Sequence, residues 1–147
     1  MPPPIRFVAH NLVQMEAALR AGAEASMTVM IETPPNAGRY WGPPYFLALV
    51  AAARDAVPGA AFDAILDCGD APGLAVEALR QGVRAIRLDV PGDVAARVAN
   101  IATQLGARLE PGPRPTGLLD LAQARDPLAA ARRAIAEASQ PAGARTP

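Results

Sequence analysis

The sequence predicts an α/β fold in which short apolar strands alternate with amphipathic helices. Short apolar runs recur along the chain, each followed by a segment with apolar residues at helical spacing, and glycine or proline separates the two. The pattern is (βα)4β plus a C-terminal helix. Repeated βαβ units form a parallel sheet with right-handed crossovers. Two closures fit this pattern: half of a TIM-type (βα)8 barrel, or a flavodoxin-like open parallel sheet.

The first βα unit begins with a short strand at residues 5–9. Asn11 has the character of a helix N-cap, and Gln14 follows it at the spacing of a capping box. Apolar residues then recur at helical intervals until Gly22, which ends the first helix.

The second unit begins with residues 27–33, a nearly continuous apolar run that is typical of a strand covered on both faces. Residues 34–44 contain four prolines and two glycines, which predicts an irregular loop. We expect the second helix at residues 46–57, ended by the Pro-Gly pair that follows it.

The third strand is predicted at residues 61–67 and the fourth at residues 83–90. Between them, Asp70 is placed to cap a helix, and Pro72 falls in its first turn, where a missing N–H costs nothing. Gly82 ends that helix.

The fourth helix opens at residues 91–93 and ends at Gly106, and a short fifth strand follows at residues 107–110. The last helix is predicted from residue 118 or 127 to 138. The domain organisation that follows is a (βα)4β unit over residues 1–110, a Pro-rich linker over 111–116, a helical segment over 117–139 and a flexible tail over 140–147.

Composition excludes several classes of protein. The net charge is zero and no basic run is present, so neither a nucleic-acid partner nor an anionic membrane surface is expected. A single cysteine, Cys68, excludes an internal disulfide framework and a multi-cysteine zinc module. No apolar stretch reaches the roughly 20 residues that a bilayer requires, and no secretory signal is evident. We therefore expect a cytoplasmic protein.

Four segments resemble the class II, metal-dependent aldolases of fructose and tagatose bisphosphate. Residues 65–69, Ile-Leu-Asp-Cys-Gly, are similar to the family's His-Leu-Asp-His-Gly motif. Residues 7–14 align without a gap with its Phe-Asn-Val-Asn-Asn-Leu-Glu-Gln opening. Residues 29–42, ending in Arg-Tyr-Trp-Gly, resemble its segment ending in Lys-Tyr-Met-Gly, and residues 85–91 resemble its Ser-Val-Met-Ile-Asp-Gly-Ser strand. The resemblance covers residues 5–110, the N-terminal half of the family's TIM barrel, and so implies a half barrel.

This sequence departs from the family at the positions that bind the family's metal ion. The histidine that follows the motif's aspartate is a zinc ligand in the family, and Cys68 takes its place here. The family's other ligands, including two histidines, come from the later half of the barrel, whereas this chain has one histidine, His10. A catalytic zinc needs about three protein ligands. We therefore expect no cofactor and no tightly bound zinc; the alternative is a divalent metal at Cys68 and Asp89.

The resemblance also implies which side chains face the barrel interior. If Asp67 points inward as in the family, strand alternation places Glu32, Arg87 and Asp89 inside as well. We expect the three carboxylates at the carboxyl ends of the strands, with Arg87 one layer below and Cys68 beside them. In the family the residue that matches Asp67 is the acid that protonates a ketose intermediate, and the one that matches Asp89 lies near the metal.

This cluster has three interpretations: a structural network in which Arg87 neutralises buried carboxylates, a ligand site without turnover, or a catalytic site. His10 matches a family asparagine and is expected to face the mouth of the site. Arg39 belongs to the loop predicted at residues 34–44, a candidate contact surface. The candidate substrate-binding residues are thus Glu32, Arg39, Arg87, Asp89 and His10, with Asp67 as the candidate catalytic residue.

The leading functional hypothesis is a class II aldolase-like half barrel that has lost its zinc site. It would act as a binding, regulatory or structural protein for a small phosphorylated or carboxylated metabolite. The alternative is a metal-dependent carbon–carbon lyase or sugar-phosphate isomerase with a site shared between subunits. A half barrel exposes two strand edges and an open concave face, so we expect a homodimer or a higher even oligomer. The C-terminal helix, with Leu128 and Ile135 seven residues apart, could plug the open end or exchange between subunits.

Overall fold

The computed structural model describes residues 4–140 of the chain. The strands are β1 (Ile5–Val8), β2 (Val29–Glu32), β3 (Phe62–Asp67), β4 (Ala85–Leu88), β5 (Arg108–Pro111) and β6 (Leu119–Asp120). The helices are α1 (Leu12–Glu24), α2 (Ala37–Ala56), α3 (Pro72–Arg80), α4 (Gly92–Gln104) and α5 (Pro127–Ala138), with one 3-10 turn at Leu121–Gln123 before α5. All but the first residue of the predicted tail lie outside the described residues. None of the described helices is both long and apolar enough to cross a membrane.

The six strands form one parallel sheet in the order β5-β4-β3-β2-β1-β6. Strands one to five are adjacent in chain order, without the reversal that places β1 inside a flavodoxin-like sheet. Right-handed crossovers that always step in one direction place every helix on the same face of the sheet. The predicted α/β class is confirmed, and the winding is that of a barrel.

The two faces of the sheet carry different side chains, because successive residues of a strand point to opposite sides. Phe7, Ile31, Leu66 and Ile86 point toward the helices and belong to the main aliphatic core. Met30, Ile65 and Ala85 form a separate small cluster on the opposite face, which we call the inner face.

The sheet is strongly curved around its inner face. A guanidinium nitrogen of Arg6 on β1 lies 3.6 Å from a carboxylate oxygen of Glu110 on β5, although three strands lie between them. Neighbouring strands are spaced by about 4.8 Å, so a flat sheet would hold β1 and β5 roughly 19 Å apart. The sheet therefore curls as the wall of a barrel does.

The start of α1 follows the predicted capping pattern. The side chain of Asn11 accepts a hydrogen bond from the backbone N–H of Gln14 at 2.9 Å, and the Gln14 side chain accepts one from the backbone N–H of His10 at 2.8 Å. The N-cap is confirmed.

The loop predicted at residues 34–44 is largely helical, because α2 already begins at Ala37. The helix breaks at Gly42, whose φ of 73° and ψ of 155° are not helical, and Pro43 and Pro44 begin its longer second piece. Proline is tolerated in the first turn of a helix, where its missing N–H would have no partner. The density of proline and glycine thus marks a kink, and the predicted loop was wrong.

The predicted helix cap at Asp70 was also wrong. The N-cap of α3 is Ala71, which provides no side-chain hydrogen bond, and Pro72 occupies the first turn as expected. The carboxylate of Asp70 instead pairs with the guanidinium of Arg39 at 2.7 Å.

Residues 119 and 120 form β6, which the sequence did not predict. This strand pairs with β1 on the side opposite β2, with Leu119 beside Phe7 and Asp120 beside Val8. Helix α5 begins at residue 127, the later of the two predicted starts, and packs against α1 in the helix layer. It continues the outer layer and does not plug the open end of the sheet.

Candidate ligand-binding cleft

The inner face of the sheet is an ion-pair network. Four carboxylates and four guanidiniums form ion pairs there. Three of the guanidiniums belong to strands, and the fourth belongs to the β5–β6 connection. The carboxylates belong to Glu32, Asp63, Asp67 and Glu110, and the guanidiniums to Arg6, Arg87, Arg108 and Arg114. The inward direction predicted for Glu32, Asp67 and Arg87 is confirmed.

Glu32 is the centre of this network and is fully buried. Its two carboxylate oxygens accept hydrogen bonds from Arg87 at 2.5 and 3.2 Å, a bidentate geometry, and one of them also accepts from Arg6 at 3.1 Å. A buried carboxylate needs such partners, because an uncompensated charge away from water is very costly. This geometry supports the structural interpretation of Glu32 and Arg87.

The outer members complete the charge balance. Arg108 pairs with Asp63, and its Nε lies 3.6 Å from Glu110, which Arg6 also approaches. Together with the apolar cluster around Ile65, these side chains line the inner face, where the Arg108 and Asp63 side chains stay 41% and 35% exposed. The concave face expected from the sequence is therefore a charged one.

Asp67 lies at the end of β3 with both carboxylate oxygens occupied. Oδ1 accepts the backbone N–H of Gly69 at 2.8 Å, and Oδ2 accepts from Arg114 at 2.9 Å. The backbone N–H of Asp67 donates to the hydroxyl of Thr33 at 3.0 Å. In register, Asp67 stands beside Arg87, so these two residues share a layer and Arg87 is not one layer below as predicted.

A cleft of about 520 Å³ opens above this layer, at the carboxyl ends of the strands. Its walls come from the start of α2, the β3–α3 and β4–α4 turns and the β5–β6 connection. The charged lining residues are Arg39, Arg87, Arg114, Asp67, Asp70 and Asp89, and Tyr40 and Asn36 stand at one side. The cleft therefore offers three guanidiniums and three carboxylates to one small volume.

The rim of the cleft is exposed to solvent. The Arg39 and Asp70 side chains, paired with one another, retain 53% and 77% of their accessible surface. The exposed Asp89 stands at the mouth, where its backbone N–H donates to the carbonyl oxygen of Gly69 at 2.7 Å. Arg39 and Asp89 thus line the cleft, although Asp89 is separated from the buried network.

Cys68 points away from the carboxylate cluster of the inner face. It follows Asp67 in the chain, so it points to the opposite side of the sheet, where it is fully buried in the main core. Burial, and next the nearby Asp67 carboxylate, raise the pKa of this thiol to about 12. The predicted pair of Cys68 and Asp89 as metal ligands is therefore not formed.

His10 also lies away from the cleft lining. Its Nε2 is 2.9 Å from a carboxylate oxygen of Asp120, which joins the end of β1 to β6. Across residues 4–140, no three His, Cys, Asp or Glu side chains converge as a metal site would require. The donor set does not fit a zinc ion of the aldolase kind.

Sequence reasoning missed three of the four guanidinium partners and the carboxylate of Glu110. Alternation along β1 and β5 places Arg6, Arg108 and Glu110 on the inner face and could have found them. Arg114 belongs to a proline-rich connection without periodicity, so no sequence signal pointed to it.

No protein-family model matches this chain, and no curated protein matches it in sequence. Solved structures do match its fold. One is a protein of Coccidioides immitis assigned as a fructose-1,6-bisphosphate aldolase, with a TM-score of 0.61 and 17% identity. The match covers 88% of this chain and 53% of the other, so the chain spans about half the length of that aldolase-like protein. The likeness shows that the chain has an aldolase-like α/β fold.

Proposed function

We propose that the cleft binds a small polar metabolite with a phosphate or carboxylate group, and that it does so without a metal ion. The observation that carries this proposal is the convergence of three guanidiniums and three carboxylates on one cleft at the carboxyl ends of parallel strands. Ligand sites of barrel folds occupy this end of the sheet. Guanidiniums bind phosphate and carboxylate in bidentate fashion, and aspartates accept hydrogen bonds from ligand hydroxyls.

The chemistry of the donors favours binding over metal-dependent lyase activity. The Cys68 thiol faces the core, His10 is paired with Asp120, and Asp89 stands apart at the mouth. Asp67 could move a proton only after Arg114 had been displaced from it. No step through a metal ion follows from this arrangement, and the role we propose is that of a binding or regulatory protein.

Isothermal titration calorimetry with three ligands tests the proposal: fructose 1,6-bisphosphate, inorganic phosphate and fructose. We expect both anions to bind at low ionic strength, with affinities that fall as salt is added, and fructose to bind undetectably. Arg39→Gln should weaken both anions. Arg97→Gln is the matched control, because Arg97 is an exposed arginine on α4 whose one ion pair within residues 4–140 is with Asp93, at 3.8 Å.

Absence of anion binding at millimolar concentration would refute the proposal, as would equal losses in Arg39→Gln and Arg97→Gln. Cleavage of the bisphosphate after addition of a divalent cation would instead support the lyase with a shared site.

A further inference from the structure

Residues 112–117 of the connection between β5 and β6 form a segment that we call the strap, and its first three residues, Gly112, Pro113 and Arg114, line the cleft. It starts and ends at Gly112 and Gly117, whose φ values of 83° and 82° lie in the left-handed region that favours glycine. Its sequence, Gly-Pro-Arg-Pro-Thr-Gly, contains one charged residue, Arg114.

Arg114 holds the middle of the strap against the cleft floor. Its Nη1 donates to the carbonyl oxygen of Thr33 at 2.7 Å and to Oδ2 of Asp67 at 2.9 Å. The strap has weaker contacts besides these. Arg114 Nη1 also lies 3.7 Å from a carboxylate oxygen of Glu32, and the carbonyl oxygen of Pro113 accepts a long 3.4 Å hydrogen bond from Arg87. At the start of the strap, the N–H of Gly112 donates to the carbonyl oxygen of Leu88 at 3.1 Å.

The pair of Arg114 and Asp67 lies at the boundary between the buried network and the cleft. The Arg114 side chain is 19% exposed and that of Asp67 is 7% exposed, and both line the cleft. Arg87, by contrast, is held by Glu32 inside the network. If Arg87 left, the buried Glu32 carboxylate would lose its bidentate partner. Arg114 lies next to the cleft floor, and its guanidinium is therefore the one that can turn to bind the anionic group of a ligand.

We propose that Arg114 exchanges partners, leaving Asp67 for the anionic group of the ligand, so that this residue determines the selectivity of the cleft. The inference rests on the proposed function and specifies its ligand further. Once released, Asp67 needs a new hydrogen-bond donor, since it stays nearly buried. The preferred ligand therefore carries a hydroxyl or ammonium group close to its phosphate or carboxylate.

A charge-neutral double variant separates partner exchange from simple electrostatics. Asp67→Asn combined with Arg114→Gln leaves the net charge of the cleft unchanged. If Arg114 binds the anion, inorganic phosphate should bind this double variant at least about tenfold more weakly than the unaltered protein. Asp67→Asn alone should bind phosphate more tightly, by about threefold or more, because Arg114 is then held less strongly. The matched control is Asp93→Asn with Arg97→Gln, a charge-neutral pair on α4 that should change nothing.

Equal phosphate affinity in the double variant and the unaltered protein would overturn the exchange and leave the proposed function intact. Absence of anion binding in the unaltered protein would refute both. A crystal structure with phosphate bound gives an answer that needs no variant. It should show the Arg114 guanidinium on the phosphate and beyond hydrogen-bond distance of Asp67, and an intact pair would contradict the proposal.

Discussion

At the scale of single residues, a substitution of Arg87 tests the ion-pair network. Replacing it with methionine leaves the buried Glu32 carboxylate without its bidentate partner. We expect Arg87→Met to lower the free energy of unfolding by roughly 1–4 kcal/mol, since Glu32 loses its bidentate partner but keeps Arg6 at 3.1 Å and Arg114 at 3.7 Å. Urea denaturation measures this. Arg97→Met, on the exposed side of α4, should have little effect, and an unchanged midpoint for Arg87→Met would mean that water reaches Glu32.

Cys68 should be inert in the folded protein. Because burial raises the pKa of its thiol to about 12, almost no thiolate is present near neutral pH. We expect a thiol-specific colorimetric reagent at pH 8 to label the native protein far more slowly than the urea-unfolded protein. The same shift reduces stability in alkali: the unfolded thiol ionises near 9.0, so the contribution of the neutral buried thiol is lost between pH 9 and about 12. Rapid labelling of the native protein would contradict this burial.

The sequence predicted single residues well where alternation applies and poorly where it does not. Glu32, Asp67 and Arg87 follow from the two-residue period of a strand. The same period places Cys68 on the opposite face from Asp67. The prediction nevertheless put Cys68 in the site, because this position is a metal ligand in the family motif. The position of Arg114 depends on how a non-periodic connection crosses the curved sheet, which only the tertiary structure shows.

At the scale of secondary-structure elements, the contact between α1 and α5 can be tested through its ion pair. Arg132 of α5 donates two hydrogen bonds to Glu24 of α1, at 2.7 and 2.8 Å, and these hydrogen bonds lower the pKa of Glu24 below 4.5. The pair thus stabilises α5 above pH 4.5, and this contribution is lost as the pH falls through the lowered pKa. We expect Glu24→Gln to speed amide hydrogen exchange in α5 at pH 7, modestly because the pair is exposed.

Asp55→Asn provides the comparison, because Asp55 is an exposed carboxylate on α2 with no ion pair to any described residue. If Glu24→Gln and Asp55→Asn change exchange in α5 equally, Glu24 does not hold that helix in place.

Elements with a regular spacing of apolar residues were predictable from the sequence, and short or interrupted elements were not. The apolar spacing of α1, α3 and α4 indicated each helix. Gly82 and Gly106 follow the ends of α3 and α4 closely, whereas the end predicted for α1 at Gly22 was wrong, because the helix continues through this buried glycine to Glu24. Only the first piece of α2, before the kink at Gly42, was missed, because proline and glycine are as typical of a loop as of a break between two helical pieces. Strand β6 has two residues, too few for any period, and pairing with β1 creates it.

At the scale of the whole molecule, the unpaired edges of β5 and β6 remain the reason to expect self-association. Because the inner face is lined by charged side chains that already pair with one another, these edges and the helices beside them are where a second copy can bind. We expect light scattering at micromolar concentration to give the mass of a dimer or a higher even oligomer. A monomer mass throughout a dilution series would contradict this prediction.

A pair of substitutions on α5 locates the contact. Ala134 lines a groove of about 780 Å³ beside β6, while Ala136 is exposed and does not line it. If the β6 edge is the interface, Ala134→Glu should lower the mass and Ala136→Glu should not. Equal masses for the two variants would place the interface elsewhere, at the β5 edge.

The balance of charge on the inner face restricts how this protein can diverge in evolution. The Arg87 and Glu32 side chains are 4% and 0% exposed, so replacing either one by a neutral residue leaves its partner's charge where water cannot solvate it. Drift through neutral intermediates is therefore blocked at these two positions, and the acid and the base must be exchanged together or not at all. Relatives of this chain should accordingly keep this pair or replace both members at once, with apolar side chains of similar volume in their place, whereas the partly exposed pair of Arg108 and Asp63 can change one residue at a time.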